Sequence, residues 1–225
     1  MLTQQSAIEK VTRPMDKTAM AIAVFDKNAK NYKDKFMDQG LYENSFDLFC
    51  EAIDNQSASI LDVACGPGNI TKYLLDRHPG YNMLGIDLAP TMLVFAKVNN
   101  PSACFQLLDC REIGTLGEKF DGIMCGFCLP YLSKEEAKAF IATAATMLTP
   151  HGVLYISTME DDYAKSGIKY SSSGDVIFMH YHQADYLLDA LATNCFSLLH
   201  IIRQAYPNEQ AKEATDLILI AKLNP

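Results

Sequence analysis

Short apolar runs alternate with stretches of helical spacing along most of this chain. Ile60 to Ala64 is apolar apart from Asp62 and is short enough for a buried strand. Further strands are predicted at 81–87, 103–108, 120–125 and 153–158. The intervening segments read as helices. Asn69 to Leu75 places Ile70, Tyr73 and Leu74 on one face, and Pro90 stands near the first turn of the next helix. Ser133-Lys134-Glu135-Glu136 is a serine cap with a glutamate three residues on, ahead of the stripe Ala137, Phe140, Ile141, Ala144 and Leu148. Thr149-Pro150-His151-Gly152 reads as the turn that ends this helix. Beyond it, 159–173 reads as a polar loop and 175–182 as an added, alternating strand. A helix over 184–194 and two strands at 196–205 and 215–223 complete the chain, the strands joined around Pro207-Asn208-Glu209. At the other end, residues 1–20 are polar and interrupted by Pro14. A helix is predicted from about Thr18, with Ala21, Val24, Phe25, Ala29 and Tyr32 on its face, and a second from Leu41 to Ile53.

Alternating strands and helices imply a doubly wound α/β fold. The length, 225 residues, suits a single domain over 1–225, with a helical N-terminal cap at 1–57 and a lid insertion at 159–182. Hydrophobic residues make up 49% and charged residues 20%, which fits a globular chain. A formal net charge of −8 argues against a nucleic-acid surface. No apolar run reaches the length of a membrane span, and the first residues lack a secretory pattern. Seven scattered cysteines then read as reduced thiols, and the expected compartment is cytoplasmic.

The candidate chemistry starts at Asp62 and the turn after it. Gly66 and Gly68 clear two side chains from the bend, and Pro67 stiffens it. A helix that begins here aims its free amides at whatever occupies the turn. A dinucleotide fingerprint needs a third glycine, and Thr71 stands in its place. Asp62 would repel a pyrophosphate and suits a cation. A second acid, Asp87, ends the next predicted strand 19 residues beyond Gly68, where an acid grips ribose hydroxyls in doubly wound sheets; capping the following helix is the other reading. Asp109 follows the third strand, either at a ligand or in a surface turn.

Leu61-Asp62-Val63-Ala64-Cys65-Gly66-Pro67-Gly68 resembles the first motif of class I S-adenosylmethionine-dependent methyltransferases of small-molecule type. Gly85-Ile86-Asp87-Leu88-Ala89-Pro90-Thr91-Met92 matches their second-strand pattern, and Phe25 to Tyr32 resembles their N-terminal helix, whose tyrosine closes over the cofactor. The resemblance implies a seven-stranded, mostly parallel sheet of order 3-2-1-4-5-7-6, S-adenosyl-L-methionine as cofactor, and methyl transfer to a small molecule. It implies cofactor contacts from Tyr32, Asp62, Ala64, Cys65, Gly66, Gly68, Asp87, Leu88, Met92, Asp109, Cys110, Cys125 and Gly126. Asp62 would serve the amino acid end, Asp87 the ribose and Asp109 the adenine amine.

A general base is needed only for a protonated acceptor; the candidates are His180, His182 and Tyr131. Glu160, Asp161 and Asp162 crowd the loop beside the expected acceptor pocket and read either as a lure for an amine or as a solvated loop. Cys125 and Cys128 spell half of a metal or redox site, but no second pair has suitable spacing, and no metal is expected. A catalytically silent methyltransferase-fold protein that binds a ligand or partner is the alternative. The sequence leaves monomer and homodimer equally open.

Overall fold

Four of the five residues of β1 (Ser59–Val63) are buried, as expected of a strand covered on both faces. In this computed structural model, which describes residues 16–37, 40–170, 174–205 and 215–225, β1 is the centre of a seven-stranded sheet. It pairs in parallel with β2 (Asn82–Asp87) and β4 (Phe120–Cys125). Outside these lie β3 (Cys104–Leu107) and β5 (Leu148–Glu160), also parallel. The last two strands, β8 (Phe196–Ala205) and β9 (Thr215–Leu223), close the far side, with β9 antiparallel to both its neighbours. The full order is β3-β2-β1-β4-β5-β9-β8. With the separate hairpin of β6 (Gly167–Tyr170) and β7 (Val176–Met179) set aside, this is the expected 3-2-1-4-5-7-6 order.

Helices cover both faces. The chain runs α1 (Lys17–Phe36), α2 (Glu43–Glu51), α3 (Asn69–Arg77), α4 (Pro90–Asn99), α5 (Lys134–Met147) and α6 (Ala184–Thr193). On one face Phe140, Ile141 and Leu187 pack on Leu61, Ile123 and Ile156. On the other, Phe46, Phe49 and Leu74 pack on Ile60, Met124, Tyr155 and Ile218. Each such side chain contributes about 1.5–3 kcal/mol through burial. The predicted capping box of α5 is formed: Glu136 N–H donates to Ser133 Oγ at 3.2 Å and Ser133 N–H to Glu136 Oε2 at 2.7 Å.

The lid segment differs from its expected form. Its polar composition reads as a loop, yet β5 continues to Glu160 and Gly167–Tyr170 pairs with Val176–Met179 as an antiparallel hairpin. The predicted strand over 175–182 ends at Met179. The turn expected at 149–152 lies within β5, with His151 at a φ of 67°. Asp175 ties the hairpin to α1, accepting from Lys27 Nζ at 2.6 Å and Asn28 Nδ2 at 2.9 Å. Residues 1–15 with Pro14, residues 171–173 and the turn around Pro207, Asn208 and Glu209 lie outside the described residues. Among the described residues no helix is long and apolar enough to cross a membrane.

Candidate active site

The order of the sheet reverses between β1 and β4, and a cleft of about 150 Å³ opens outside the carboxyl ends of these strands. One wall is the turn after β1. Ala64, at a φ of 55°, and Gly66, at 53°, bend the chain out of the strand. The Gly66 N–H donates to Asp87 Oδ2 at 2.9 Å, while Asp87 Oδ1 accepts from Ala89 N–H at 2.8 Å. Asp87 thus ties two loops together, and each oxygen keeps acceptor capacity toward the cleft it lines. Burial raises its carboxyl pKa, against the pull of three backbone N–H groups.

Next to Asp87, the side chains of Leu88, Met92 and Leu108 make an apolar slot that ends at Asp109 and Cys110. Asp109 caps a 3-10 helix over Cys110–Leu116. Burial would raise its pKa, but side-chain and backbone hydrogen bonds from Arg111 outweigh this and hold the carboxyl below its usual range. Arg111 also donates to Glu136 Oε1 at 3.0 Å. Sequence reasoning missed Arg111; a cation two residues after the acid was the available signal.

The other half of the cleft is aromatic. Phe25 from α1 meets Tyr131 at 5.2 Å between ring centroids and Tyr32 at 5.8 Å. Phe127 closes this end at a φ of 56°, its N–H donating to Ser157 Oγ at 2.9 Å. Such backbone strain in a bulky residue is characteristic of functional sites.

The structure brings Tyr32, Ala64, Gly66, Asp87, Leu88, Met92, Asp109, Cys110, Gly126 and Tyr131 to this one cleft. It places other expected residues elsewhere. Asp62 stands behind the turn, 1% exposed, and accepts from the Thr71 hydroxyl at 2.6 Å. Burial pushes its pKa up to about 7, against the Thr71 hydrogen bonds and assisted by the Asp87 charge. Cys65 is buried under the turn. Gly68 serves packing: at a φ of 78°, it abuts Asn100 and Ala96 of the α4 end so closely that any Cβ would strike them. Cys125 is fully buried in the core.

The histidines lie off the cleft lining as well. His182 is fully buried, with Nε2 at 2.8 Å from the Leu129 carbonyl and Nδ1 against the Tyr186 hydroxyl. Burial drives its pKa down to about 4. His180 is 5% exposed, stacked on Tyr163 at 5.6 Å, and its Nδ1 has no partner. Tyr131 does line the cleft, but burial raises its hydroxyl pKa and keeps it protonated. The acidic loop is neutralised locally: Glu160 binds Arg203 at 2.6 Å, Asp161 binds Lys165 at 2.7 Å, and Asp162 caps the short helix Tyr163–Lys165. Cys110, Cys125 and Cys128 are all free thiols. Among the described residues no cluster of three or more His, Cys, Asp or Glu could hold a metal ion.

This donor set fits a cationic nucleoside without phosphate. Among the described residues two carboxylates line the cleft, and the one lining guanidinium, Arg111, is held by Asp109 and Glu136. Gly66 leaves the turn open, with Tyr32 Cε1 and Asn69 Oδ1 at 3.9 Å from where a Cβ would stand. Behind it, Asp62 Oδ1 is buried with no partner, an acceptor with capacity to spare.

The fold is that of S-adenosylmethionine-dependent methyltransferases. Residues 60–152, from β1 into β5, match the family described as a methyltransferase domain. Malonyl-[acyl-carrier protein] O-methyltransferase of Acetivibrio thermocellus is 31% identical over 136 residues, 60% of this chain and 47% of that protein. dTDP-3-amino-3,6-dideoxy-alpha-D-glucopyranose N,N-dimethyltransferase of Streptomyces fradiae is 32% identical over 103 residues, 45% of this chain and 39% of that protein. The chain therefore spans under half the length of these relatives. Among solved structures, 1,6-didemethyltoxoflavin-N1-methyltransferase of Burkholderia thailandensis, with bound 1,6-didemethyltoxoflavin and S-adenosylhomocysteine, superposes with a TM-score of 0.71. It is 19% identical, and the match covers 96% of this chain and 92% of that one.

Proposed function

We propose that this chain is a single-domain enzyme that binds S-adenosyl-L-methionine in the cleft and transfers its methyl group to a small-molecule acceptor. The observation that carries this is the Asp87 carboxylate, fixed between the Gly66 and Ala89 amides at the lip of the cleft. Held there, both oxygens accept from vicinal ribose hydroxyls without reorganising. Asp109 meets the exocyclic amine of adenine, with the Cys110 backbone beside it, and Leu88 and Met92 cover the ring. Gly66 and Gly126 give the amino acid part of the cofactor close access to backbone, and the unpartnered Asp62 oxygen attracts its ammonium from behind. When bound, the cofactor supplies an activated methyl on a sulfonium. The chain's own part is positioning and exclusion of water by α1 and the β6–β7 hairpin, which serve as the lid.

The relatives are named for O- and for N-methylation, so their names leave the acceptor open. Seven free thiols support a reducing, cytoplasmic setting, and the net charge of −8 supports a small-molecule rather than nucleic-acid acceptor. The test is calorimetric titration of S-adenosylhomocysteine into the full chain. Micromolar binding that disappears in Asp87→Ala is expected; no heat at saturating ligand sinks the proposal. A second reading, a catalytically silent binder, is favoured by one feature: among the described residues neither a histidine nor a lysine lines the cleft. It predicts binding without turnover across a broad acceptor screen.

A further inference from the structure

We propose that the rings of Phe25, Tyr32 and Tyr131 form a π-walled box for a positive charge, and that the methyl acceptor is an amine. This rests on the methyl-transfer reading above and names the chemical class of its acceptor.

The rings have the geometry of adjoining walls. Phe25 stands at 88° to Tyr131 and at 83° to Tyr32, so it meets both as a perpendicular panel. All three line the one cleft, and the Tyr32 ring edge borders the open face of Gly66. Aromatic faces carry negative potential and attract a cation, more strongly where water is excluded. The remaining charges agree in sign. Asp87 and Asp109 line the cleft, and Arg111, the one cation lining it among the described residues, is engaged by Asp109 and Glu136. A carboxylate acceptor would be buried here without a counter-ion.

An amine suits this environment through the whole reaction. Its lone pair forms the new N–C bond as the methyl–sulfur bond breaks, with that electron pair left on sulfur. A neutral thioether departs, and the positive charge has moved from sulfur to nitrogen inside the same box. The amine enters in its neutral form, having left its proton in solvent, and a primary or secondary product sheds its extra proton to solvent on release, so no protein base is required. With an anionic acceptor, by contrast, the charge that the box stabilises is extinguished in the transition state.

The test uses the full chain saturated with S-adenosylhomocysteine and three probes of one shape: choline, 3,3-dimethylbutan-1-ol and 3,3-dimethylbutanoate. Binding is read by calorimetry. Choline is expected to bind about tenfold or more tightly than the neutral alcohol, with the carboxylate weakest. Tyr131→Leu and Phe25→Leu should each remove about tenfold of choline affinity, and Tyr131→Phe should stay within about twofold of wild type. Two leucine variants guard against one failing to fold, and S-adenosylhomocysteine affinity reports which are intact. Equal affinity for the three probes, no choline binding, or choline binding unchanged in both folded leucine variants would overturn the box. Failure of S-adenosylhomocysteine itself to bind would overturn the methyl-transfer reading instead.

Discussion

Thr71 donates its hydroxyl to Asp62 across 2.6 Å at the buried foot of the glycine turn. The residue that breaks the dinucleotide fingerprint is thus the partner of the acid beneath the turn. Asp62 still holds a proton in the folded state up to about pH 7, against 3.8 for an ordinary carboxyl. Between these values the unfolded chain binds fewer protons than the folded one, so this group's contribution to stability falls as pH rises from about 4 to about 7. Asp62→Asn keeps an acceptor for Thr71 and removes the buried charge. It should raise apo stability by on the order of 2 kcal/mol at pH 8 and by much less at pH 4.5, read from urea denaturation. It should also weaken S-adenosylhomocysteine binding. A constant stability difference across pH would show that Asp62 ionises freely.

His182 contributes with the opposite sign. Its folded pKa is about 4 against 6.5 unfolded, so stability from this group rises as pH climbs from about 4 to about 6.5. His182→Ala leaves the Tyr186 hydroxyl and the Leu129 carbonyl without this partner and opens a cavity; a cost of about 2–4 kcal/mol is expected. The variant that remains folded at low temperature should show the wild-type pH profile of turnover above pH 6. An acid limb abolished by the substitution would make His182 a participant after all.

Asp87 holds the turn and, in the proposed complex, the ribose. Asp87→Ala should weaken S-adenosylhomocysteine binding by at least about 100-fold, two charge-assisted bonds at about 1.5–3 kcal/mol each being lost. Asp87→Asn, which keeps one acceptor, should lie between. Calorimetry decides, and a loss below about fivefold would remove the ribose role.

Gly66 and Gly68 should separate cleanly despite being two residues apart. Gly68→Ala drives a methyl into Asn100 and Ala96 in a left-handed backbone, and should cost about 2–4 kcal/mol of stability. Gly66→Ala has room for its methyl in the apo protein, so only the left-handed strain, about 1–2 kcal/mol, applies. Its main effect should be on cofactor affinity, since the methyl projects into the open face of the turn. Thermal melts with and without S-adenosylhomocysteine distinguish the two.

The sheet was legible because its strands are short apolar runs bounded by glycine, proline and charge, and because β2 ends in an acid and another follows β3. Asp87 and Asp109 were found by that rule. Asp62 comes close to the same rule but lies two residues before the bend, on the inward-facing side, and position along a strand does not reveal which way a side chain points at its tip. The histidines misled for a related reason. Alternation put His180 and His182 on one face of a predicted strand, but that strand ends at Met179, both rings pack against Tyr163, and the His182 ring meets the Leu129 carbonyl. The hairpin was hidden because β6 is four residues long, Gly-Ile-Lys-Tyr, and exposes its apolar Ile168 and Tyr170, so no buried apolar stripe marks it as a strand. Ring-to-ring contacts such as Phe25 with Tyr131 join residues more than a hundred positions apart and leave no periodic trace.

The clasp between Asp175 and α1 bears on how this protein could change. In the proposed complex the adenosine side of the pocket is floor, built into the sheet and locked by the abutment of Gly68 on Asn100. The aromatic side is roof, carried partly on one helix that is fastened from outside by a hairpin. Floor and roof are separately replaceable parts, so new acceptors can be tried by altering the helix and its fastening while the expensive grip on the methyl donor is inherited intact.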